Sequence, residues 1–488
     1  MQSRCLNPET GLYQQYQGPS VLRLYGTSVF LMERYLLKAN GFWVLAAVVG
    51  AVVISQLFAA YYHNGLNRYP GPLLAKFTRL APSKVGDVVR IGPNSLSVSN
   101  PAYVPRLYGV SQGFLKSEMY DPFAPRVNGK RFDSSLSVRD PKVHQAMHKP
   151  IANAYSLTTL IDYEPLVDKM IIKLLAELRK RIDGGNEACD IGLWMRLYAF
   201  DVMLQVTLSD TLGFMDKGGD INGFFERLDD NIDRSGLLVT MPWTAYLLKH
   251  NPIVSYFSKD SSVFPGWTAS RVQDRLKRRA ANTVPNSIHQ QRDFLGRFIE
   301  AAHMGDPPKF DFSQALNWTL TNVMAGVSWA RSQHLPYLDA VIKESLRMHP
   351  AIGLGLERTA SGLEMPDGYV LPPGTNVGMN SWVVNRQAIF GDDVDEFVPE
   401  RWLQSPSETE AEHKNRLNRM KRADLGFGAG SRSCTGKYVS YLEIYKVIPS
   451  LLLTFDMEMV DEKDEWTVVS RWTVRQDNIR CFLRQRGS

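Results

Sequence analysis

Phe427-Gly428-Ala429-Gly430-Ser431-Arg432-Ser433-Cys434-Thr435-Gly436 decides how the rest of this chain is read. One cysteine closes a glycine-rich loop, and a strongly helical run, Lys437-Tyr438-Val439-Ser440-Tyr441-Leu442-Glu443-Ile444-Tyr445-Lys446, follows at once. The first N–H groups of a helix lack intrahelical partners and carry partial positive charge, so a thiolate is favoured there. Glycines at 428, 430 and 436 leave room for a flat macrocycle against the backbone, and Arg432 can meet a carboxylate. The pattern suits a heme iron held through sulfur. The bland reading is a buried cysteine in a glycine turn. A dinucleotide loop fits less well, because Ser431 stands at the third glycine and Lys421, Arg422 and Asp424 precede it where a buried strand is required. Cys5, Cys189 and Cys481 form no paired spacing with Cys434, which leaves zinc without a ligand set.

The run fits Phe-x-x-Gly-x-Arg-x-Cys-x-Gly at every fixed position and resembles the heme-binding signature of the cytochrome P-450 family. The resemblance implies Cys434 as the axial ligand of a heme b iron, Phe427, Gly430 and Gly436 against the cofactor, and Arg432 at a propionate. In Pro336–Pro350, Leu338, Val341, Ile342, Ser345 and Leu346 share a helical face, and Glu344 and Arg347 are surface neighbours. This stretch resembles the family's Glu-x-x-Arg helix. Phe397-Val398-Pro399-Glu400-Arg401-Trp402 resembles the segment whose arginine joins that pair. The resemblance implies a structural triad of Glu344, Arg347 and Arg401, a buried carboxylate shared by two guanidinium groups.

Further positions follow from the family's order. Ala351, Ile352 and Gly353 fall where the family passes a substrate-touching strand over the heme edge. Arg358 is then either a second propionate partner or an ordinary surface strand residue. Glu364–Thr375 reads as a short hairpin with strong turn signals. Pro141–Pro150 stands where the family has a propionate-binding helix, usually Trp-x-x-x-Arg. His144 takes the tryptophan place, and His148 or Lys149 that of the arginine.

The chain has 488 residues, 44% of them hydrophobic, and a net charge of +6 from scattered Lys and Arg. Scattered charge suits a membrane surface or an acidic redox partner and excludes a nucleic-acid stripe. Four unpatterned cysteines argue against a disulfide framework. Residues 42–62 carry no charge, with Trp43, Tyr61 and Tyr62 at the ends, and read as a transmembrane anchor. Residues 1–41 form an extension, within which Met32 reads equally well as a start. Residues 63–85, containing Arg68-Tyr69-Pro70-Gly71-Pro72, resemble the proline-rich hinge of microsomal members, and 86–488 the catalytic domain.

The distal helix departs from the pattern. Ala325 and Gly326 match, and the resemblance places them in the substrate pocket. Ser328 then stands at the acid position and Trp329 at the alcohol position. Only 17 residues separate Gly326 from Glu344, where the family has several tens. Another 13 separate Pro72 from Gly86, too few for the expected helix. Both gaps are clean, which points to lost exons after Lys76 and after Gly326.

The expected fold is mainly α with a small β-rich subdomain, a cytochrome P-450 fold incomplete at the distal helix, plus an N-terminal transmembrane helix. Gly86–Pro101 and Pro336–Pro350 look most like fungal microsomal members of the pisatin-demethylase type. The resemblance implies a monooxygenase of the endoplasmic reticulum membrane, single-pass with a cytosolic catalytic domain. It would act on an apolar small molecule, with electrons from NADPH-cytochrome P-450 reductase and cytochrome b5 as a second donor. Two rivals are a heme-thiolate isomerase or peroxygenase, and an inactive product of a gene that has lost exons.

Overall fold

The computed structural model describes residues 41–73, 86–110, 112–124, 126–127, 130–131, 133–183, 188–240, 263–281, 293–303, 312–323, 335–460 and 466–487. The chain divides into two units, Met1–Gly65 and Leu66–Ser488. The first holds helix α1, Gly41–Tyr62, 22 residues without a charged side chain. At 1.5 Å per residue it is about 33 Å long, the thickness of a bilayer's hydrocarbon core. Val48, Val52, Ile54 and Phe58 stand exposed along it.

The second unit is a helical body with small sheets. Helices α2 (Pro141–His148), α3 (Glu164–Asp183), α4 (Ile191–Leu208), α5 (Phe224–Thr240) and α6 (Val263–Ala280) come first. Helices α7 (Phe294–His303), α8 (Phe312–Val323), α9 (Pro336–Met348), α10 (Glu410–Ala423) and α11 (Lys437–Thr454) follow. Local chemistry sets their ends. Asp190 caps α4 by accepting from the Leu193 N–H at 3.0 Å, and Ser209 closes it in the left-handed region at φ 55°. Pro336 opens α9 where its missing N–H costs nothing. Thr409 and Glu412 form a reciprocal capping box at α10.

The main core lies between α3, α4, α7, α8 and α11, where Leu174, Leu197, Val202, Phe298, Trp318 and Leu442 are buried. Helix α4 is long and apolar enough to cross a membrane, but its side chains are mostly buried in this core, so it is a core helix. Its one fully buried carboxylate, Asp201, accepts N–H groups of Gly213, Phe214 and Met215, which satisfies it.

Strands β1 (Val88–Gly92), β2 (Ser95–Val98), β3 (Leu115–Lys116), β5 (Arg358–Ala360) and β6 (Thr375–Gly378) form a sheet in the order β1-β2-β6-β5-β3. Between β5 and β6 the chain turns at Gly368, φ 75°, and the Met365 N–H bonds the Tyr369 carbonyl at 2.9 Å, closing the hairpin. A second sheet places β10 (Arg480–Gln485) between β4 (Cys189–Asp190) and β7 (Phe455–Met459). A third pairs β8 (Thr467–Ser470) with β9 (Val474–Asp477).

Phe294 is fully buried, with ring centroids of Tyr163, Tyr155 and Phe298 at 4.5, 4.8 and 5.6 Å. Phe294→Ala leaves a cavity walled by three rings and is expected to cost about 3–5 kcal/mol, read as a lower thermal unfolding midpoint.

Candidate functional site

The cysteine loop is built by backbone. Gly428 N–H bonds the Leu425 carbonyl at 2.9 Å, Ser433 N–H that of Gly430 at 3.2 Å, and Cys434 N–H that of Phe427 at 2.7 Å. Gly430 has φ 64°, and a Cβ there would lie 1.8 Å from the Tyr108 carbonyl oxygen. Only glycine lets the loop close on that element. The Tyr108 hydroxyl in turn donates to the Leu356 carbonyl at 2.7 Å and accepts the Met379 N–H at 3.0 Å. Gly436 leads into α11, so the thiol sits at a helix start. Burial pushes the Cys434 thiol up, and the Gly436 and Lys437 N–H groups and the Lys437 charge offset only part of that rise. Phe427 packs on Tyr441, centroids 5.2 Å apart.

Beside this loop lies an unbalanced group of cations. Strands β3 and β5 set Lys116 directly opposite Arg358, both nearly buried at 6% and 5% exposure. Like charges so placed repel. Among the described residues Lys116 donates to the Leu136 and Ser135 carbonyls, at 2.8 and 3.3 Å, and its ammonium lies 4.7 Å from the Tyr120 ring centroid. Arg358 donates to the Glu357 carbonyl at 2.9 Å and lies 4.9 Å from the Tyr108 ring centroid, so it is no surface residue. Arg432 donates to the Val138 and Arg139 carbonyls, each at 3.0 Å. Among the described residues, none of the three is ion-paired with a carboxylate. Burial, aided by Arg358 and Arg432, pulls the Lys116 ammonium well below its ordinary range. His144 faces the same charges. Burial first, then Arg432, Lys116, His148 and Arg358, pull its imidazole down to about 3, so it is neutral. His148 stacks on it at 5.7 Å, whereas Lys149 ends the helix exposed to solvent. Clustered cations without a carboxylate ion pair among the described residues, beside a thiol, match heme b in charge: two propionates and one soft metal ligand.

Behind the loop, Glu344 is fully buried and saturated. Its Oε1 accepts from Arg347 Nη2 (2.8 Å), Arg401 Nε (2.9 Å) and the Val398 N–H (2.9 Å). Its Oε2 accepts from Arg347 Nε and Trp402 Nε1, both at 2.9 Å. Trp402 went unassigned in the sequence, although it adjoins Arg401. Arg347 also donates to the Asn385, Val394 and Glu396 carbonyls at 2.9, 2.7 and 3.1 Å. Burial would raise the Glu344 carboxyl; the bonds from Arg347, Val398 and Trp402 outweigh it and hold the group below its ordinary range.

Ala351, Ile352 and Gly353 run beside the β8–β9 turn. The Val474 N–H bonds the Ala351 carbonyl at 2.9 Å, Ile352 bridges Thr473, and the Gly353 N–H bonds the Trp472 carbonyl at 3.0 Å. A Cβ on Gly353 would meet the Arg471 carbonyl oxygen at 2.5 Å, so the turn docks only against glycine. Trp472 is thereby delivered against Phe123 (4.4 Å) and Tyr120 (5.7 Å), in a cluster with Met119 and Val239 that also packs Ile352 and Leu354. No periodic signal in the sequence marked this aromatic wall. Ala325 and Gly326 lie outside the described residues.

The cytochrome P450 family model matches residues 66–328 and again 325–480. The chain belongs to the cytochrome P450 family. It is 33% identical to the cytochrome P450 monooxygenase cicH of Emericella nidulans, over 91% of this chain and 99% of that one. It is 30% identical to vrtE of Penicillium aethiopicum, a protein of the same description, over 90% and 94% of the two chains. The solved cytochrome P450DA heme domain superposes with a TM-score of 0.63 at 16% identity, covering 82% of this chain and 90% of that one, a likeness of fold. Membership makes the chain a heme monooxygenase with heme b as cofactor, a redox partner and a small-molecule substrate.

A carboxyl whose folded pKa is depressed stabilises above its unfolded value of about 4.3, and that stability is lost as pH falls through the folded pKa. Glu344→Gln strands two buried guanidinium groups, with an expected cost of about 3–5 kcal/mol at neutral pH. Denaturant unfolding of both proteins from neutral to acid pH checks this, and the two should converge on the acid side.

Proposed function

We propose that this chain is a membrane-anchored monooxygenase that hydroxylates or O-demethylates an apolar small molecule of secondary metabolism. Electrons come from NADPH through a separate reductase. Bound heme supplies the redox chemistry, by which one atom of dioxygen enters the substrate and the other leaves as water. The chain's own residues do the rest. Cys434 is the sulfur ligand; the helix start offsets part of the burial that disfavours its thiolate, and a bound metal would hold the deprotonated form. Arg432, Arg358 and Lys116 hold the two propionates, with neutral His144 beside them. Glu344, Arg347 and Arg401 keep the loop behind the sulfur from shifting. Tyr120, Phe123 and Trp472, with Ala351, Ile352 and Gly353, exclude water and face substrate with apolar surface. The uncharged helix α1 supports a membrane anchor in the endoplasmic reticulum, with residues 63–85 as its hinge.

The observation that carries this reading is the coincidence of a helix-start thiol with buried cations that, among the described residues, are not ion-paired with a carboxylate. Expressed with heme, the reduced, carbon-monoxide-bound protein should show a strongly red-shifted Soret band, and Cys434→Ala should lose it. Lys116→Met should release heme to an apo-globin acceptor about tenfold faster or more, the worth of one charge-assisted hydrogen bond. Unchanged release would remove Lys116 from the cradle.

One observation favours a second reading. The two family matches meet at residues 325–328, beside the expected gap, and Ser328 and Trp329 replace the acid and alcohol of a proton relay. A heme-thiolate isomerase or peroxygenase needs no such relay. Turnover with a peroxide, and none with NADPH and reductase, would establish that reading instead.

A further inference from the structure

Two cysteines outside the heme site meet in the second sheet. Strand β4 runs antiparallel to β10, and the register places Cys189 opposite Cys481 and Asp190 opposite Arg480. Their positions, 189 and 481, give no hint of this in the sequence. Both thiols are free. The Ile191 N–H bonds the Ile479 carbonyl at 2.9 Å, and counting two residues along each strand puts the cysteines in the same hydrogen-bonded class of pair. Such residues stand about 5.5 Å apart at Cα with side chains on one face, inside the Cα range of a disulfide. Their Cβ atoms, roughly 5 Å apart, must close by about 1 Å for the bond to form, which an edge strand can yield.

We propose that Cys189 and Cys481 are a redox site, which hydrogen peroxide converts to a disulfide that staples β4 to β10. Cys189 lies half-buried on an edge strand, while Cys481 is 3% exposed on the central one. The oxidant therefore meets Cys189 first. Its sulfur attacks the peroxide, an S–O bond forms, the O–O bond breaks and hydroxide leaves, giving a sulfenic acid. Cys481 sulfur then attacks the same sulfur; the S–S bond forms and the hydroxyl leaves as water. Two thiols and one hydrogen peroxide become one disulfide and two waters, and an external thiol reverses the change through a mixed disulfide. Burial pushes both thiols up, Cys189 to about 11, so little thiolate is present at neutral pH and the bond builds under sustained oxidant.

The position gives the bond leverage. Strand β4 leads directly into the Asp190 cap of α4, and β10 is the last strand described. The closed loop contains Glu344, Arg358, Arg401 and Cys434. A link across so long a loop removes much freedom from the unfolded chain.

The test uses the heme-loaded full chain. Protein treated with hydrogen peroxide is alkylated, digested without reductant and mapped by mass spectrometry. The expected product is one linked peptide pair joining Cys189 to Cys481, absent after dithiothreitol and absent in Cys189→Ala. Oxidation with diamide should lengthen the half-life of thermal unfolding about threefold or more, followed by circular dichroism. Persistence of both thiols, over-oxidation of Cys189 without a link, or a link to Cys5 or Cys434 instead would overturn the site. A correct link with an unchanged half-life would overturn the staple. The mapping is done on the unaltered chain, so it stands whether or not the variant folds.

Discussion

The carboxylate of Glu344 is the buried charge from which a chain of polar bonds leads to the cysteine loop. A buried charge is tolerated only when every lone pair is answered, and five donors answer this one. The order it imposes extends beyond the triad. Arg347 holds the Asn385 carbonyl, and Asn385 Oδ1 accepts the Leu425 N–H at 3.5 Å. Ser381 donates to the Leu425 carbonyl at 3.1 Å, and that carbonyl also accepts Gly428 at the loop's first turn. A path of backbone and buried polar bonds thus runs from α9 to the residues that precede Cys434. Each of these bonds is buried or partly buried, so the path joins α9 to the loop through groups shielded from water.

The opposite economy governs the cation cluster. Where Glu344 has its charge fully compensated, Lys116, Arg358 and Arg432 meet carbonyl oxygens and aromatic rings, and among the described residues none of them is ion-paired with a carboxylate. Directly opposed cations at low exposure weaken a sheet, and the β3–β5 pairing keeps them together. The same fold thus leaves like charges opposed in one place and compensates a buried charge in another. The neutral His144–His148 stack belongs to the same region: burial keeps the rings uncharged, so they add surface without adding repulsion.

Much of this was legible because motif chemistry is local. Gly430 and Cys434 sit in one ten-residue run, and a glycine that must pass a carbonyl leaves its mark in that run alone. Glu344 and Arg347 are one helical turn apart, so their meeting is dictated by helix geometry. Lys116 was silent, since a single lysine in Leu115-Lys116-Ser117 reads as any solvated lysine. Only its pairing against Arg358, 242 positions later by the numbering, reveals what it opposes. Arg358 stood undecided between surface and site, and its burial at 5% exposure removes the surface reading.

The sequence by itself determined the family, the glycine-rich cysteine loop, the uncharged N-terminal helix and the Glu-x-x-Arg helix, because each rests on contacts within a few residues. Tertiary structure alone decided which cations converge, that Trp402 completes the Glu344 shell, that Trp472 reaches Tyr120 and Phe123, and that Cys189 faces Cys481. Those are long-range neighbours, set by strand register and by how the sheets dock on the helices. Register depends on the burial of whole faces and on turns at a distance, information no short window of sequence contains.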